Sequence, residues 1–448
     1  MVKFTKGRFG WILFVAAFIL GYLINGQGSN FVSAVTDKNY ENLKTFSDIL
    51  YTIQKDYVEE PEADTLIKGA INGMLRTLDP HSSYMPPDLY KEMQVETKGK
   101  FGGLGIELTI KEGILTVVAP IEDTPAFRAG IQAGDQIVKI ETESTKNMTL
   151  MDAVKKLRGK KGTKVTISIA REGAPLLQDF TITRDVIEIK SVKFKVLNER
   201  IGYIRITQFQ EQTMKGFRNA CGEIEAKAPS LLGLILDLRN NPGGLLQQAV
   251  EMADEFIDSG LIVYTEGRSE AQRMEFKAQP NKRNHDYPLI VLVNAGSASG
   301  SEIVTGALQD HARALILGTT TFGKGSVQTI IPLDDGSGLR LTTARYFTPH
   351  GRSIQGTGIE PDVVVEDYIE VLEKDASKIR FLREKDLENH IKNSADIEQA
   401  EQDIDREKTE DLQEKGEEIK NDPPLNRAIE LLKGWEVFQK TRTSQPIN

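Results

Sequence analysis

The chain has 448 residues and a mass of 49.9 kDa, too long for one small domain; at about 150 residues per domain it holds about three units. Hydrophobic residues make up 39% and charged residues 27%, which excludes wholesale disorder, a collagen-like repeat and a polytopic membrane protein. The single cysteine, Cys221, excludes an intramolecular disulfide and any multi-cysteine metal site, and the net charge of −9 gives no general attraction to nucleic acid.

Lys3, Lys6 and Arg8 precede an apolar run from Phe9 to Ile24, and no acidic or basic residue follows until Asp37. A basic flank before such a run predicts a secretory signal or a signal-anchor within residues 1–34. The protein is therefore expected to be exported, to the periplasm or another extracytoplasmic space; whether the segment is cleaved or anchors the chain to the cytoplasmic membrane stays open. Residues 36–95 read as helical: Leu43, Phe46, Ile49, Leu50 and Ile53 recur at helical spacing, as do Leu66, Ile67, Ala70, Met74 and Leu75. Asp79-Pro80 breaks the pattern, and His81 reads as a residue of that turn rather than a catalytic base.

Residues 96–187 change period. Phe101 to Leu108 opens a strand, Lys111-Glu112-Gly113 makes a hairpin turn, and Ile114 to Val118 returns. Pro125 to Gly130 is a short helix with proline at its start and glycine at its end. Ile137 to Ile140, Val165 to Ala170 and Phe180 to Thr183 read as strands, and Leu150 to Arg158 as a helix. Small strands with two short helices, opening on Gly103-Leu104-Gly105-Ile106, resemble a PDZ domain. The Gly-Leu-Gly-Ile loop, the Pro-Ala-x-x-Ala-Gly helix and the Gly-Asp-x-Ile-x-x-Ile strand carry that likeness in order. It implies that an extended peptide lies along a strand edge, its carboxylate held by the backbone N–H groups of Gly103, Leu104, Gly105 and Ile106.

Residues 188–368 alternate strands and helices, which argues an α/β fold. Leu234 to Leu238 and Leu289 to Val293 are apolar runs suited to strands buried on both faces. Residues 369–448 are charged and helical in pattern. Residues 381–420 alone carry 14 acidic and 7 basic side chains, which reads as a solvated arm. Pro423-Pro424 open a last amphipathic helix with Leu425, Ile429, Leu432, Trp435 and Phe438 near one face, suited to docking on the body or on a second subunit.

Two clusters in the α/β region carry chemistry. In Asn294-Ala295-Gly296-Ser297-Ala298-Ser299-Gly300-Ser301-Glu302 a buried strand turns into a helix. A serine there projects from the strand's carboxyl end, beside the free N–H groups of a helix N-terminus, which favour a developing oxyanion. A bare serine-rich turn is more often a helix cap, and a serine hydroxyl is a weak nucleophile until a base takes its proton. The second cluster, Gly318 to Gln328, nearly spells a phosphate-binding loop. It fails because Gly325 follows Lys324 where Ser or Thr is required, and because a strand rather than a helix comes next. What remains is a lysine between two glycines at the mouth of a strand. Buried away from carboxylates, its amine loses part of its ordinary pKa of about 10.4 and can serve as a base, with Gln328 placed to orient it.

Ser-Ala-Ser-x-Ser-Glu, followed 25 residues later by Phe-Gly-Lys-Gly and then by glutamine, resembles the carboxy-terminal processing peptidases, or tail-specific proteases. The resemblance covers roughly residues 40–368. It implies a multidomain α/β protein: a crotonase/ClpP-like protease core over residues 188–368, the PDZ domain at 96–187, and helical regions at 36–95 and 369–448. It implies a serine endopeptidase working through an acyl-enzyme, with Ser299 as nucleophile, Lys324 as general base and Gln328 supporting the lysine. The oxyanion donors are then the N–H of Gly300 and that of Gly243 or Gly244. Glycine at position 300 departs from the alanine common in the family. No metal or organic cofactor is required. The expected partners are protein or peptide substrates with exposed C-termini, a second copy of the chain, and an adaptor protein, with no nucleic acid. His311 closes the helix that Ser299 opens, about 18 Å away, and cannot serve as its base; His81, His285, His350 and His390 carry no such signature. The rival readings are a catalytically dead PDZ scaffold and a crotonase-like enzyme of thioester chemistry.

Overall fold

The computed structural model describes residues 37–443, apart from 112, 172, 174–175, 270–272, 281–284, 367–382, 388 and 393–421. The expected signal or anchor segment and most of the acidic arm lie outside the described residues. Among the described residues, no helix is long and apolar enough to cross a membrane.

The chain divides after Met74 into two compact units. The first carries α1 (Asp37–Asp56) and most of α2 (Ala63–Arg76). The apolar positions of α1 recur at helical spacing as expected, and Leu43, Phe46 and Ile49 are exposed.

In the second unit the region expected to be wholly helical contains a strand. The Asp79 side chain accepts the N–H groups of His81 and Ser82, both at 2.8 Å, a tight turn that ends the helical run. Strand β1 (Ser83–Met85) follows, then α3 (Pro87–Lys98). The next strands are β2 (Lys100–Gly103), β3 (Ile106–Lys111) and β4 (Ile114–Pro120), with the short helix α4 (Pro125–Arg128). After them come β5 (Gln136–Ile140), β6 (Glu143–Ser144), α5 (Leu150–Leu157), β7 (Lys164–Ala170), β8 (Gln178–Thr183) and β9 (Asp185–Glu188). Strands β3-β4-β5-β7-β8 form an antiparallel sheet with β6 beside β5, and β2 pairs with β9. Leu115, Val117, Ile137, Ile140, Val165, Ile167 and Ile169 fill the core of this sheet with Ala126 and Ala153 from the two helices. Strand β3 is an edge, with α5 packed against it, so its outer hydrogen-bonding groups face the groove between strand and helix.

The α/β core begins with β10 (Val192–Leu197), β11 (Ile201–Ile206), α6 (Thr213–Lys227), β12 (Gly233–Asp237) and α7 (Leu246–Asp254). Then come β13 (Leu261–Gly267), β14 (Met274–Lys277), β15 (Leu289–Val293), α8 (Gly300–Asp310) and β16 (Leu315–Gly318). Strands β17 (Ser326–Pro332), β18 (Gly338–Phe347) and β19 (Val363–Val364) and helix α9 (Pro423–Thr443) complete it. The main sheet runs β10-β11-β12-β15-β16-β19, parallel except for the β10–β11 pair. Its period-two alternation divides two apolar layers. Leu234, Leu236, Leu289, Val291 and Val293 face α6, α7 and α8. Ile235, Ile290 and Leu292 face Ala428 and Leu432 of α9. The last helix thus docks on the body. A second sheet of β1, β18, β13 and β14, with β17 also on β18, carries the lysine segment.

Asp422 caps α9 through the Leu425 N–H, 3.0 Å away, and pairs with Arg239, whose guanidinium also holds Asp237. Replacing buried Leu432 by alanine should destabilise the core by about 2–5 kcal/mol. A urea-denaturation midpoint unchanged from wild type would show that α9 does not cover this face.

Candidate active site

Strand β15 ends at Val293 and the chain turns sharply into α8. At the corner stands Ser299, with φ 54° and ψ −112°, a left-handed conformation that costs a residue bearing a Cβ about 1–3 kcal/mol. The surrounding turn over-determines it. The Asn241 carbonyl accepts the Ala298 N–H at 3.0 Å and the Ser301 hydroxyl at 2.9 Å. The Ser297 hydroxyl donates to the Leu238 carbonyl at 2.8 Å. The Asn-Asn-Pro-Gly-Gly turn and the serine turn are therefore laced together.

Glu302, with no exposed surface, lies one turn into α8. Its Oε2 accepts the Ser299 N–H at 2.8 Å and the Lys324 N–H at 2.9 Å. Its Oε1 accepts the Gly323 N–H at 2.8 Å and the Thr321 hydroxyl at 2.5 Å. Burial pushes this carboxyl up to about 7 against the downward pull of those donors. One carboxylate thus binds the backbone of the serine corner and of the lysine loop. The expected pair, Ser299 and Lys324, is brought to one place by it.

The Lys324 side chain is half-buried. Its amine makes no hydrogen bond or ion pair with any described residue. Burial holds it below the ordinary lysine value, and the Arg340 guanidinium pushes the same way, while Glu384, Glu302 and Asp79 act in the opposite direction. The Ser299 hydroxyl is not bonded to this amine; it meets the Tyr346 hydroxyl at 2.7 Å.

Gly243 and Gly244 have φ of 99° and 136°. A Cβ on Gly243 would lie 2.7 Å from the Ser299 Cβ and 2.8 Å from the Gly300 nitrogen, and one on Gly244 would strike the Phe209 carbonyl at 2.2 Å. Only glycine fits at either position. The Gly243 N–H donates to the Asn241 side chain at 2.9 Å. The N–H groups of Gly244 and Gly300 have no acceptor among the described residues. Of the two expected glycines, Gly244 is the one with a donor to offer.

The Gln328 amide donates to the Ser326 hydroxyl at 3.0 Å and the Thr342 hydroxyl at 3.4 Å, not to the Lys324 amine. The β17–β18 register shifts between Val327 and Gln328, and a bulge re-aims the side chains beyond it. The lysine loop is instead clamped from its far side. The Gln355 side chain accepts the Gly325 N–H at 3.0 Å and donates to Glu384 at 2.8 Å. His81 Nε2 lies 2.8 Å from both oxygens of buried Glu384. His81 is thus more than a turn residue, and Glu384, inside the segment expected to be solvated, is fully buried. None of the other histidines reaches Ser299: His285 meets Tyr287, His311 the Leu261 carbonyl, His350 Asp310 and His390 the Leu387 carbonyl.

In the PDZ loop the Leu104 and Gly105 carbonyls are taken by the N–H groups of Ala126 and Ile121, both at 2.9 Å. The N–H groups of Leu104 and Gly105 have no acceptor among the described residues. Gly103 lies in β2 opposite Asp185, and Ile106 opens the edge strand β3. Arg158, in the basic run after α5, pairs with Glu92 of α3 and lies 4.6 Å from the centre of the Phe101 ring.

Sequence reasoning assigned no role to Glu302 or Tyr346. The Ser-x-x-Glu spacing of a capping box is a signal for the first. Nothing in the sequence flags the second, 47 residues beyond Ser299 in a strand.

The family model described as peptidase family S41 matches residues 200–365, a PDZ domain model residues 102–182, and the activating protease CtpB N-terminal domain residues 25–88. The chain is 44% identical over 428 residues to the carboxy-terminal-processing protease of Bartonella bacilliformis, spanning 94% of this chain and 95% of that protein. It is 40% identical over 333 residues to the carboxy-terminal processing protease CtpA of Bacillus subtilis, spanning 73% and 70%. The solved structure of a photosystem II D1 C-terminal processing protease aligns at 32% identity with a TM-score of 0.43, over 73% of this chain and 88% of that one. With a PDZ domain set before an S41 peptidase core, and near full-length identity of this order, the chain belongs to the carboxy-terminal processing proteases of family S41.

Proposed function

We propose that the chain is a serine endopeptidase that takes protein substrates by their C-termini through the PDZ domain and cleaves them with a Ser299/Lys324 dyad. The observation that carries this reading is the shared Glu302 carboxylate, which holds the nucleophile corner and the lysine loop together. A substrate C-terminus adds to the exposed edge of β3, its carboxylate received by the unpaired N–H groups of Leu104 and Gly105.

In the core, Ser299 Oγ attacks the scissile carbonyl carbon while its proton passes to the Lys324 amine. The negative charge on the carbonyl oxygen falls on the N–H groups of Gly300 and Gly244, at the positive end of α8. The carbon–nitrogen bond breaks, the leaving nitrogen takes the proton from Lys324, and an acyl-enzyme remains. Water then gives a proton to Lys324 as it attacks the ester. The carbon–Oγ bond breaks, and Oγ recovers the proton. The amine must be neutral at the start, and its burial beside Arg340 favours that form. The dyad requires the lysine side chain to turn so that Nζ reaches Oγ. Gln328 fixes the strand after the lysine through Ser326 and Thr342.

Ser299→Ala should abolish cleavage of a fluorogenic peptide while melting temperature and C-terminal peptide binding stay at wild-type values; continued turnover by that variant would refute the assignment. kcat/KM should rise with pH as the amine deprotonates, with a midpoint below the ordinary lysine value of about 10.4. A flat profile, or a midpoint at that ordinary value, counts against Lys324 as base. Glu302→Gln replaces an acceptor of four hydrogen bonds by an amide whose nitrogen donates. It should lower kcat/KM at least about ten-fold and keep the ascending limb, because the titrating amine is still present. Loss of that limb in the variant would assign the titration to Glu302.

A further inference from the structure

Tyr346 lies in β18, is buried, and joins the two halves of the site. Its N–H donates to the carbonyl of Gly325, the residue after Lys324, at 2.9 Å, and its hydroxyl lies 2.7 Å from Ser299 Oγ. The phenol makes no other hydrogen bond among the described residues. Burial raises its ionisation above the ordinary tyrosine value, so the group keeps its proton. A buried O–H needs an acceptor, and the serine oxygen is the acceptor present. A phenol is also the better donor and the poorer acceptor of the two hydroxyls. The bond therefore runs from Tyr346 to Ser299.

We propose that Tyr346 is a further catalytic residue of the peptidase, its phenol O–H donating to Ser299 Oγ throughout the cycle. The inference rests on the Ser299/Lys324 reading above. In the resting site the bond occupies a lone pair of Oγ and leaves the serine's own proton free to point at the incoming Lys324 amine. During deacylation Oγ is the leaving atom. As the carbon–Oγ bond breaks, charge grows on that oxygen, and the phenol stabilises it until the proton returns from Lys324. No proton leaves Tyr346 at any step.

Tyr346→Phe keeps the ring and removes the donor. Measured on the full chain with a fluorogenic peptide, kcat should fall about ten- to hundred-fold, with KM within about two-fold and the melting temperature within about 2 °C of wild type. Labelling of Ser299 by a fluorophosphonate should slow in parallel. A kcat within two-fold of wild type overturns the proposal. So does a loss of kcat matched by an equal rise in KM.

A second measurement does not depend on that variant's folding. 3,5-Difluorotyrosine placed at 346 has a more acidic phenol, and once ionised it no longer donates. kcat should then gain a descending limb at alkaline pH that wild type lacks; absence of that limb overturns the proposal. Ser299→Ala separates the two readings. If it is inactive while Tyr346→Phe is fully active, only the tyrosine's role falls. If Ser299→Ala still cleaves, the peptidase dyad itself falls.

Discussion

A single buried carboxylate organises the centre of the molecule. Glu302 has no exposed surface, and burying a lone charge is costly unless it is fully hydrogen-bonded. Here four donors from two loops answer it: the N–H groups of Ser299, Gly323 and Lys324, and the Thr321 hydroxyl. The cost of burial becomes a source of order, because any displacement of either loop strips a donor from the anion. Thr321 continues the tie, since its hydroxyl also accepts the Ile359 N–H at 2.7 Å. The serine corner, the lysine loop and the segment leading to β19 are thus referred to one point.

The main sheet makes that point available. β12 and β15 are buried on both faces, so their side chains carry packing and the turns at their carboxyl ends hold the candidate site. The Asn-Asn-Pro-Gly-Gly turn leaves β12 and the serine corner leaves β15, and these strands are parallel neighbours. Two turns adjacent in space can then share a hydrogen bond between Asn241 and Ser301, 60 residues apart in sequence. Strain at Ser299 is tolerable because α8 behind it is almost wholly buried and cannot shift to relax it.

What the sequence disclosed follows from range. Buried parallel strands announce themselves as apolar runs, and the PDZ region by its period and turn residues. The joint Ser-Ala-Ser and Phe-Gly-Lys-Gly pattern pointed to the paired loops because each is a short local signal. β18 was invisible: Gly338 to Phe347 mixes Arg, Thr and Tyr, two of its partners, β1 and β13, come from distant parts of the chain while β17 directly precedes it, and its meaning arises only from pairing. Tyr346 belongs to that strand. Gln328 was expected on the lysine from its spacing and from the family resemblance, and a register shift, which neither reveals, places it beside Thr342. Composition also misled at Glu384, where the surrounding acidity suggested a solvated arm, while one carboxylate of that stretch is enclosed by His81 and Gln355.

The clamp around Glu384 bears on why the Lys324 amine has no hydrogen-bond or ion-pair partner among the described residues. A carboxylate bonded directly to the amine would hold it charged and useless as a base. Glu384 lies near enough to pull the amine toward its charged form, yet its oxygens are already engaged by His81 and Gln355, and Glu302 is engaged by its four donors. Asp79 is likewise taken up by the turn it caps and by Thr342. The three acidic groups around the lysine are thus each occupied elsewhere, and the nearby cation, Arg340, opposes protonation. The site surrounds a lysine with these three carboxylates and commits each of them to other donors, so none of the three holds its amine in the charged form through a direct bond.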